Sequence, residues 1–469
     1  MNRLEFSGET RFAGRRGPRM PISRRGLLQT LLAAGGFSRA VQSSGADMII
    51  RSARPEDFEM PLEGFATWIT PVDRFFVRTH VYTPKVDPAQ WRLRIEGEVA
   101  TPMTLSLADL RQFPRAELVS VLECAGNGRG FYQPAVAGLQ WTHGAVGNAR
   151  WSGIRLADVL KKAGHNASAK EVLLNGADVP LGTMPDFVRT IPLEKAMHPD
   201  TLLAFEMNGE PLTASHGFPL RVVAPRWAGD NWVKWLTNVE VRHQEFDGFF
   251  MKTAYRRPVR TVAPGAAVDP ADMTPVTSIR PKSVIASPVE GQTIATGPST
   301  IRGAAWSGES PLKTVEVSTD RGRSWHPAKL GPERAKYAWR LWEADWNAER
   351  RGSYVLMARA TDEAGETQPL VEEWNPSGYL WNVVPQVRVE AGGAEAVPAQ
   401  QAPPPPALPT QVRETCIGCH GEDMIAGQHL TRPQWEREVD KMTRWGASVK
   451  PENRDVIIDF LLSHFGPQR

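Results

Sequence analysis

Three cysteines are the residues of this chain most able to hold a metal or a redox group. Cys416 and Cys419 lie in the short stretch "CIGCH" near the C-terminus, and Cys124 follows an apolar run in "VLECAGNGRG" (121–130). A cysteine thiolate is a good nucleophile and a soft ligand for redox metals. Because three cysteines are too few for a disulfide framework, each of them needs a chemical explanation of its own.

The stretch "CIGCH" (416–420) predicts the covalent attachment of a c-type haem. In this C-x-x-C-H pattern, Cys416 and Cys419 form thioethers with the porphyrin, and His420 ligates the iron. A thioredoxin-like redox pair is one alternative, but no βαβ pattern surrounds the motif. Half a zinc site is another, but the sequence contains no second C-x-x-C that would complete it.

The sixth ligand of the iron is predicted from the segment "RPQWEREVDKMTRWGA" (432–447). Its apolar residues recur at helical spacing, and it resembles a helix of small bacterial cytochrome c domains in which a Met ligates the iron. We therefore expect Met442 as the sixth ligand, with Met424 and His429 as alternatives. A Met ligand raises the potential of a haem and suits electron transfer.

Cys124 is followed by a glycine-rich loop, and glycines let a backbone approach a bulky ligand closely. Arg129 in this loop is expected to attract an anion and to favour the thiolate form of the cysteine. The pattern is therefore compatible with a metal-ligating thiolate. A buried structural cysteine explains it as well, since cysteine is often found in cores. The local sequence leaves both interpretations open.

The elements around Cys124 predict a domain that mixes helices and strands. Strand-like segments such as "WRLRIEGEV" (91–99) and "PLRVVAP" (219–225) occur beside the helical "IRLADVLKKAG" (154–164). We therefore expect an α+β domain over 50–260. A connector rich in Pro, Thr and Ala follows this domain at 262–280.

The rest of the chain predicts two further domains joined by a linker. Short alternating segments such as "KTVEVSTDRGRSW" (313–325), each followed by a turn, predict an all-β sandwich over 281–390. The Pro/Ala-rich stretch 391–409 predicts a semi-rigid linker, because it cannot pack a core. Residues 410–469 then form the small all-α domain that carries the haem.

The N-terminus resembles a twin-arginine export signal over 1–46. Arg24 and Arg25 precede a short, weakly apolar segment, and small residues precede a predicted cleavage after Ala46. We therefore expect a bacterial periplasmic protein that is exported already folded. Since 1–46 contain eight Arg and two Glu, the formal charge of +3 leaves −3 on the remainder, which is not typical of a nucleic-acid-binding protein. No stretch of about 20 apolar residues predicts a membrane span in the mature chain.

Several separated segments resemble the sulfite oxidase family of molybdenum–molybdopterin enzymes. In the family's order they are "FFVRTHVYTP" (75–84), "ECAGNGRG" (123–130), "GLQWTHGAVGNARWSGIRLADVL" (138–160), "AFEMNGEPLTASHGFPLRVV" (204–223) and "WVKWL" (232–236). The segment "NPSGYLWNVVPQVRV" (375–389) resembles the end of the family's immunoglobulin-like dimerisation domain. The resemblance covers about 50–390 and implies a homodimer.

The resemblance implies a role for each matching residue. Cys124 would ligate molybdenum beside the two dithiolene sulfurs of the pterin. Arg78 and Arg129 would bind an oxyanion through their planar guanidinium groups, and Trp141 would form a wall of that pocket. The pterin and its phosphate would be held by His80, Asp178, His216, Arg221 and Lys234.

Four positions depart from the family's pattern: Thr79 replaces a common Asn, Gly128 stands where animal enzymes carry a second Arg, and Phe205 and Arg226 also differ. The family's sulfite oxidases usually have Tyr at the position of Phe205, where the hydroxyl lines the substrate pocket. We expect the loss of this hydroxyl to change the pocket. Arg226 stands where Gly is common, and it is expected to add an anion contact.

Together these features predict a periplasmic sulfite dehydrogenase that oxidises sulfite by two electrons at a Cys-ligated molybdenum. The electrons would pass to the haem c and then to an external cytochrome c. The linker at 391–409 would let the haem domain swing between donor and acceptor. One alternative, kept open by Phe205, is a molybdenum-dependent S-oxide or N-oxide reductase fed through the haem. The other is a non-catalytic haem protein for electron transfer.

Overall fold

The computed structural model describes residues 48–392 and 406–467. The predicted export signal (1–46) and most of the predicted linker (391–409) lie outside the described residues. None of the helices in the described ranges is long and apolar enough to cross a membrane.

Two five-stranded sheets and a small strand pair build the first region. Its strands are β1 (Ile49–Ser52), β2 (Asp57–Glu59), β3 (Leu93–Gly97), β4 (Met103–Leu105), β5 (Arg115–Glu123), β6 (Val146–Arg155), β7 (Glu171–Asn175), β8 (Val188–Pro192), β9 (Leu202–Met207), β10 (Glu210–Pro211), β11 (Arg221–Val223) and β12 (Asn238–Arg242). One sheet has the order β4-β3-β12-β7-β8, and the other has the order β10-β9-β6-β5 with β11 paired to β9. Only β3 and β12 pair in parallel within these two sheets.

Short helices connect these strands, and the longest of them has the predicted amphipathic pattern. The helices are α1 (Leu107–Leu110), α2 (Leu156–Ala163), α3 (Leu193–Ala196) and α4 (Phe249–Lys252). In α2, Leu156, Val159, Leu160 and Ala163 are buried in a core shared by both sheets. The helix ends at Gly164, whose φ of 70° is a left-handed conformation that glycine adopts readily. The helix predicted at 154–164 and the α+β character of this region are confirmed.

The second region is a sandwich of two sheets, preceded by a strand pair. Its strands are β13 (Arg256–Pro258), β14 (Met273–Pro275), β15 (Lys282–Ser287), β16 (Thr293–Ile294), β17 (Gly297–Trp306), β18 (Leu312–Ser318), β19 (His326–Pro327), β20 (Lys329–Leu330), β21 (Arg340–Ala348), β22 (Gly352–Asp362) and β23 (Gln386–Ala391). The sheets have the orders β15-β17-β21-β20 and β16-β23-β22-β18-β19. Val315 and Val317 alternate with more exposed residues and pack against Ile301 of the other sheet. The β-rich fold predicted for this region is confirmed.

Residues 406–467 contain four α-helices and no strand. The helices are α5 (Thr410–Cys416), α6 (Glu422–Ala426), α7 (Arg432–Arg444) and α8 (Arg454–Phe465). In α7, Trp435 and Val439 are buried one helical turn apart and belong to the same core as Ile458 and Leu461 of α8. The structure therefore contains the helix that the sequence predicted within 432–447.

These C-terminal helices pack directly on the first region. The backbone N–H of Ala53 donates to Asp423 Oδ2 at 2.6 Å, and Thr183 Oγ1 donates to the carbonyl of Arg444 at 2.7 Å. The rings of Phe249 and Trp445 meet edge to face with centroids 5.6 Å apart. The sequence predicted only a tethered unit, whereas the structure shows a docked one.

A buried ion pair joins the sandwich to the end of β5. Lys282 Nζ lies 3.1 Å from Glu123 Oε1, and both side chains are buried. Trp306 Nε1 donates to Glu123 Oε2 at 2.8 Å, and Asn127 Nδ2 donates to Glu123 Oε1 at 2.9 Å. Lys282 also donates to the carbonyl of Asn127 at 3.1 Å. The sandwich therefore holds both the residue before Cys124 and the loop after it.

Replacing Lys282 by Met is expected to lower the free energy of unfolding by about 3–5 kcal/mol, because Glu123 then remains buried without its charge partner. Urea titration of the purified protein measures this loss. The matched control is Lys329→Met in the same sandwich, since the side chain of Lys329 is 81% exposed and its pair with Glu343 contributes little. Equal stability of the two variants would contradict the role given to the buried pair.

Candidate functional site

Cys124 lies directly after β5, in a loop that is held on both sides. Its backbone N–H donates to Ala145 at 2.9 Å, and its carbonyl accepts from the N–H of Asn127 at 2.9 Å. Gly128 has a φ of 95°, and a Cβ there would lie 2.7 Å from the ring of Trp381. Gly126 leaves room for Arg129 in the same way, with Nη1 2.7 Å from the Cβ position. The glycines thus serve the packing of the loop, whereas the sequence suggested that they admit a ligand.

Two cavities meet at Cys124. The first reaches into the core of the α+β region, and the second opens toward the C-terminal helices. All five residues that the sequence assigned to the cofactor line the first cavity: His80, Asp178, His216, Arg221 and Lys234. The structure therefore brings together residues that are up to 154 positions apart in the chain.

The first cavity concentrates positive groups in a poorly solvated place. Burial lowers the pKa of Lys234 to about 7, that of Arg221 to about 9 and that of His216 to about 3. Lys234 Nζ donates to the carbonyl of Ser215 at 2.8 Å. The buried Nε of Arg221 meets no acceptor among the residues that the structure describes. A phosphate would supply the missing negative charge and acceptors, so these residues fit the phosphate end of molybdopterin.

The second cavity contains the residues that the sequence assigned to an oxyanion. Arg78, Arg129 and Trp141 all line it together with Cys124. The guanidinium of Arg129 is buried, lies over the ring of Tyr379 at 5.0 Å and leaves its Nε without an acceptor in the described part of the chain. The pocket therefore offers fixed donors and positive charge beside Cys124, as a sulfur oxyanion requires.

Asp57 orients Arg78, and the sequence analysis did not identify it. Arg78 Nη1 lies 3.2 Å from Asp57 Oδ1, which also accepts from the backbone N–H of Thr79 at 2.9 Å. Burial raises the pKa of Asp57 to about 6, although the charge of Arg78 acts in the other direction. The only sequence signal is an acidic residue in the short strand β2.

Tyr255 is the second residue that the sequence analysis missed, and it lines both cavities. Its hydroxyl lies 2.8 Å from His80 Nε2, and His80 stacks on Phe187 with centroids 3.9 Å apart. Burial raises the pKa of Tyr255 and lowers the pKa of His80, so the pair is neutral. A Tyr in "KTAYRR" (252–257) gives no local signal, because its approach to Cys124 depends on the course of the chain after α4.

The expectation for Phe205 is wrong. Phe205 is buried in β9, where Arg111 lies 5.6 Å above its ring, and it lines neither cavity at Cys124. Strand β9 packs its side chains into the core of the α+β region. The lost hydroxyl at position 205 therefore removes nothing from the pocket, whose hydroxyl comes from Tyr255.

Two further expectations need correction. Arg226 lines neither cavity, because its guanidinium pairs with Glu309 and lies over the ring of Tyr337 at 5.2 Å. Burial raises the pKa of the Cys124 thiol, and the nearby charges of Arg78 and Arg129 offset this only in part. The loop alone therefore does not favour the thiolate, and a bound metal has to displace the proton.

The far end of the second cavity is formed by the C-terminal helices. Cys416, Cys419 and His420 line it, and about 2080 Å³ of space, part of it open to solvent, lies between the protein atoms. His420 Nδ1 lies 3.2 Å from the carbonyl of Gly421, which suits donation from Nδ1 and leaves Nε2 for a metal. These residues fit a covalently attached haem. Met424 and Met442 also line this cavity, and His429 does not.

Comparisons with known proteins agree with this arrangement. Residues 80–250 match the family model for the oxidoreductase molybdopterin binding domain, and residues 274–392 match the Mo-co oxidoreductase dimerisation domain. The chain is 38% identical over 360 residues to mitochondrial sulfite oxidase of Homo sapiens, covering 72% of this chain and 65% of the human protein. It is 32% identical over 359 residues to sulfite oxidase of Arabidopsis thaliana, covering 71% of this chain and 91% of the plant protein. This chain belongs to the sulfite oxidase family.

Members of this family are molybdenum oxidoreductases, and a solved structure shows the same fold. The sulfane dehydrogenase SoxCD from Paracoccus pantotrophus is 28% identical, with a TM-score of 0.64 over 75% of this chain and 93% of that one. The aligned region spans 65% of the human relative, which is less than two thirds of its length. Both family matches end at or before residue 392, so the C-terminal helices lie outside them.

The charge of the first cavity predicts a pH dependence that reports on the cofactor. Without a bound phosphate, folded Lys234 loses its proton near pH 7, whereas the unfolded chain keeps it up to about pH 10.5. The unfolded state then binds more protons, so stability rises between these pH values by up to about 1.4 kcal/mol per pH unit, less where water enters the cavity. Thermal unfolding of cofactor-free protein should therefore move to higher temperature from pH 7 to pH 9.

The cofactor-loaded protein is the control for this experiment. A phosphate beside Lys234 returns its pKa toward the ordinary value, so the rise with pH should be much smaller. An identical pH dependence in both forms would contradict the assignment of the first cavity to a phosphate-bearing cofactor.

Proposed function

We propose that this protein oxidises sulfite at a molybdenum ligated by Cys124 and passes the electrons to a c-type haem held by Cys416, Cys419 and His420. The observation that carries the proposal is the single cavity that reaches from Cys124 to the "CIGCH" motif. The similarity to proteins named sulfite oxidases supports the substrate. Oxidation of sulfite to sulfate consumes water and releases two electrons and two protons.

Charge and donor geometry bind the substrate. Arg78 and Arg129 present their guanidinium groups beside Cys124, in a place where burial strengthens electrostatic attraction. Asp57 keeps Arg78 in position, and the ring of Tyr379 supports Arg129. These groups offset the charge of the oxyanion both before and after the reaction.

Cys124 would hold the molybdenum of the cofactor, which would supply two-electron redox chemistry with release of single electrons. Tyr255 keeps its proton because burial raises its pKa, so its hydroxyl is available as a hydrogen-bond donor. His80, uncharged because burial lowers its pKa, lies 2.8 Å from that hydroxyl. With its proton on Nε2 it would donate to the hydroxyl oxygen and leave the hydroxyl proton for the oxyanion. The two residues therefore orient the oxyanion without adding charge.

The docked C-terminal helices would provide the route by which electrons leave the molybdenum site. Since Cys124 and His420 line one cavity, the first electron transfer requires no movement of the helices. Met442 would be the second protein ligand of the haem iron, and Met424, on the same cavity, is the alternative. Cys419 is exposed, which would leave one edge of the haem accessible to an external cytochrome c.

The remaining expectations concern assembly and location. The match of 274–392 to a dimerisation domain supports a homodimer formed through the sandwich. Export to the periplasm by the signal at 1–46 remains a proposal from the sequence. It also remains a proposal from the sequence that a linker at 391–409 lets the docked helices move toward an external acceptor.

Sulfane sulfur is a second candidate substrate class, favoured by the structural match to the sulfane dehydrogenase SoxCD. The missing hydroxyl at position 205 was the reason to consider an S-oxide or N-oxide reductase. This reason no longer applies, because Phe205 lies outside the pocket and Tyr255 supplies a hydroxyl there. We therefore favour oxidation.

Visible absorption of the full-length protein tests the proposed function. Adding sulfite should convert the haem bands of the wild type to the reduced form. Cys124→Ser should retain the oxidised haem spectrum but show no reduction, because it removes the thiolate ligand of molybdenum. Reduction by thiosulfate but not by sulfite would favour the sulfane candidate. Native protein that contains haem iron but no molybdenum would rule the proposal out.

Replacing Tyr255 by Phe is expected to lower kcat/KM for sulfite by about 10–100-fold, the effect of losing a hydrogen bond worth about 1.5–3 kcal/mol to a charged group. Steady-state kinetics with cytochrome c as acceptor measure this. Phe205→Tyr is the control, and it should leave kcat/KM unchanged because position 205 lies outside the pocket. A changed kcat/KM in Phe205→Tyr, together with an unchanged kcat/KM in Tyr255→Phe, would show that the pocket hydroxyl belongs at position 205 and not at position 255.

A further inference from the structure

Gln428, in the C-terminal region, forms two hydrogen bonds with the backbone of Gly138 in the α+β region. Gln428 follows α6 and is only 8% exposed. Its Oε1 accepts from the N–H of Gly138 at 3.2 Å, and its Nε2 donates to the carbonyl of Gly138 at 2.9 Å. The same Nε2 donates to the carbonyl of Met424 at 3.1 Å, which ties this side chain to α6. Both ends of the side-chain amide are therefore used on a single residue across the interface.

Gly138 lies directly against Arg129, one of the two cations of the oxyanion pocket. Its φ of 120° strains any residue with a side chain, and a Cβ there would lie 3.0 Å from Arg129 Nη1. The carbonyl of Leu139, the next residue, accepts from Arg129 Nη1 at 3.2 Å. A shift of Gly138 therefore moves the carbonyl of Leu139, which accepts from Arg129, and the backbone against which the Arg129 guanidinium packs.

A second contact fixes the same loop to the C-terminal helices. Gln434 Nε2 donates to the carbonyl of Ala135 at 2.7 Å, and Ala137 packs against the core of those helices. Residues 135–139 are thus a loop that touches the helices on one side and Arg129 on the other.

We propose that Gln428 is a positioning residue that couples docking of the C-terminal helices to oxyanion binding by Arg129. The inference rests on the proposed function, since it assigns Arg129 to the oxyanion pocket. When the helices are docked, Gln428 holds Gly138 and the carbonyl of Leu139 holds Arg129 toward the cavity. When the helices leave, this support is lost and the anion is bound more weakly.

Thermodynamic linkage makes the coupling reciprocal. If docking raises the affinity for the anion by some factor, a bound anion raises the equilibrium constant for docking by the same factor. Substrate therefore favours the state in which the helices with the "CIGCH" motif line the cavity. Undocking, in turn, favours release of the product anion.

The test uses the full-length, cofactor-loaded protein and sulfate as an unreactive oxyanion. Gln428→Leu removes both hydrogen bonds to Gly138 at nearly constant side-chain size. Its dissociation constant for sulfate, measured by calorimetry, should rise about 5–20-fold, a usual range for coupled sites. Its KM for sulfite should rise by a similar factor, whereas kcat should change less, because saturating substrate fills the pocket despite the weaker binding.

Thr183→Val is the matched control. It removes another hydrogen bond of the docked helices, from Thr183 Oγ1 to the carbonyl of Arg444, without touching residues 135–139. The other contacts, such as the hydrogen bond from the N–H of Ala53 to Asp423, keep the helices docked in this variant. Its affinity for sulfate should therefore equal that of the wild type. Should the Leu variant fail to fold, Gln428→Glu keeps the acceptor for the N–H of Gly138 and loses the donor to its carbonyl, so it should also weaken sulfate binding.

Three results would overturn the coupling. They are an unchanged sulfate affinity in the folded Gln428 variant, an equal loss in Thr183→Val, and no sulfate binding by the wild type. Failure of the proposed function looks different. A wild type that binds sulfate but does not reduce its haem with sulfite would refute sulfite oxidation, and the sulfate measurements would still decide the role of Gln428.

Discussion

The carboxylate of Glu123 is buried next to Cys124 and accepts hydrogen bonds from Lys282, Trp306 and Asn127. A buried charge is stable only when it is paired and fully hydrogen-bonded. Two of these donors come from the sandwich, so the site residue and its loop are positioned by a region that contributes no ligand of its own to the first cavity. The sandwich is therefore part of the site's framework, in addition to its match with a dimerisation domain.

Cys124 separates two environments with different electrostatic tasks. On one side, Arg221 and Lys234 lie in a cavity where burial lowers their pKa values, which prepares them for a phosphate. On the other side, Arg129 is supported by an aromatic ring and a backbone carbonyl, and Arg78, which lines both cavities, is paired with Asp57. In the proposed function, the cofactor phosphate would bind beside the cations whose pKa values burial lowers, and the substrate anion would bind beside cations that already have some partners.

The docked position of the C-terminal helices changes how the chain is understood. A haem unit on a flexible tether would meet its donor by diffusion within the reach of the linker. Here the helices form the far wall of the substrate-side cavity, and Gln428 touches the loop behind Arg129. In the proposed function, substrate binding and electron transfer would therefore share structural elements.

Features that depend on a local pattern or on a distinctive motif could be predicted from the amino-acid sequence. The spacing of apolar residues gave α2, the alternating strands and the helix that contains Trp435, because periodicity reflects which face of an element is buried. The resemblance also named Cys124 and five further residues that the structure brings together around the first cavity, and their roles stay a prediction. Which further side chains enter the site depends on the three-dimensional fold. Tyr255 and Asp57 enter the site, and Phe205 and Arg226 stay outside it, because the path of distant segments determines which side chains converge, and no local pattern records that path.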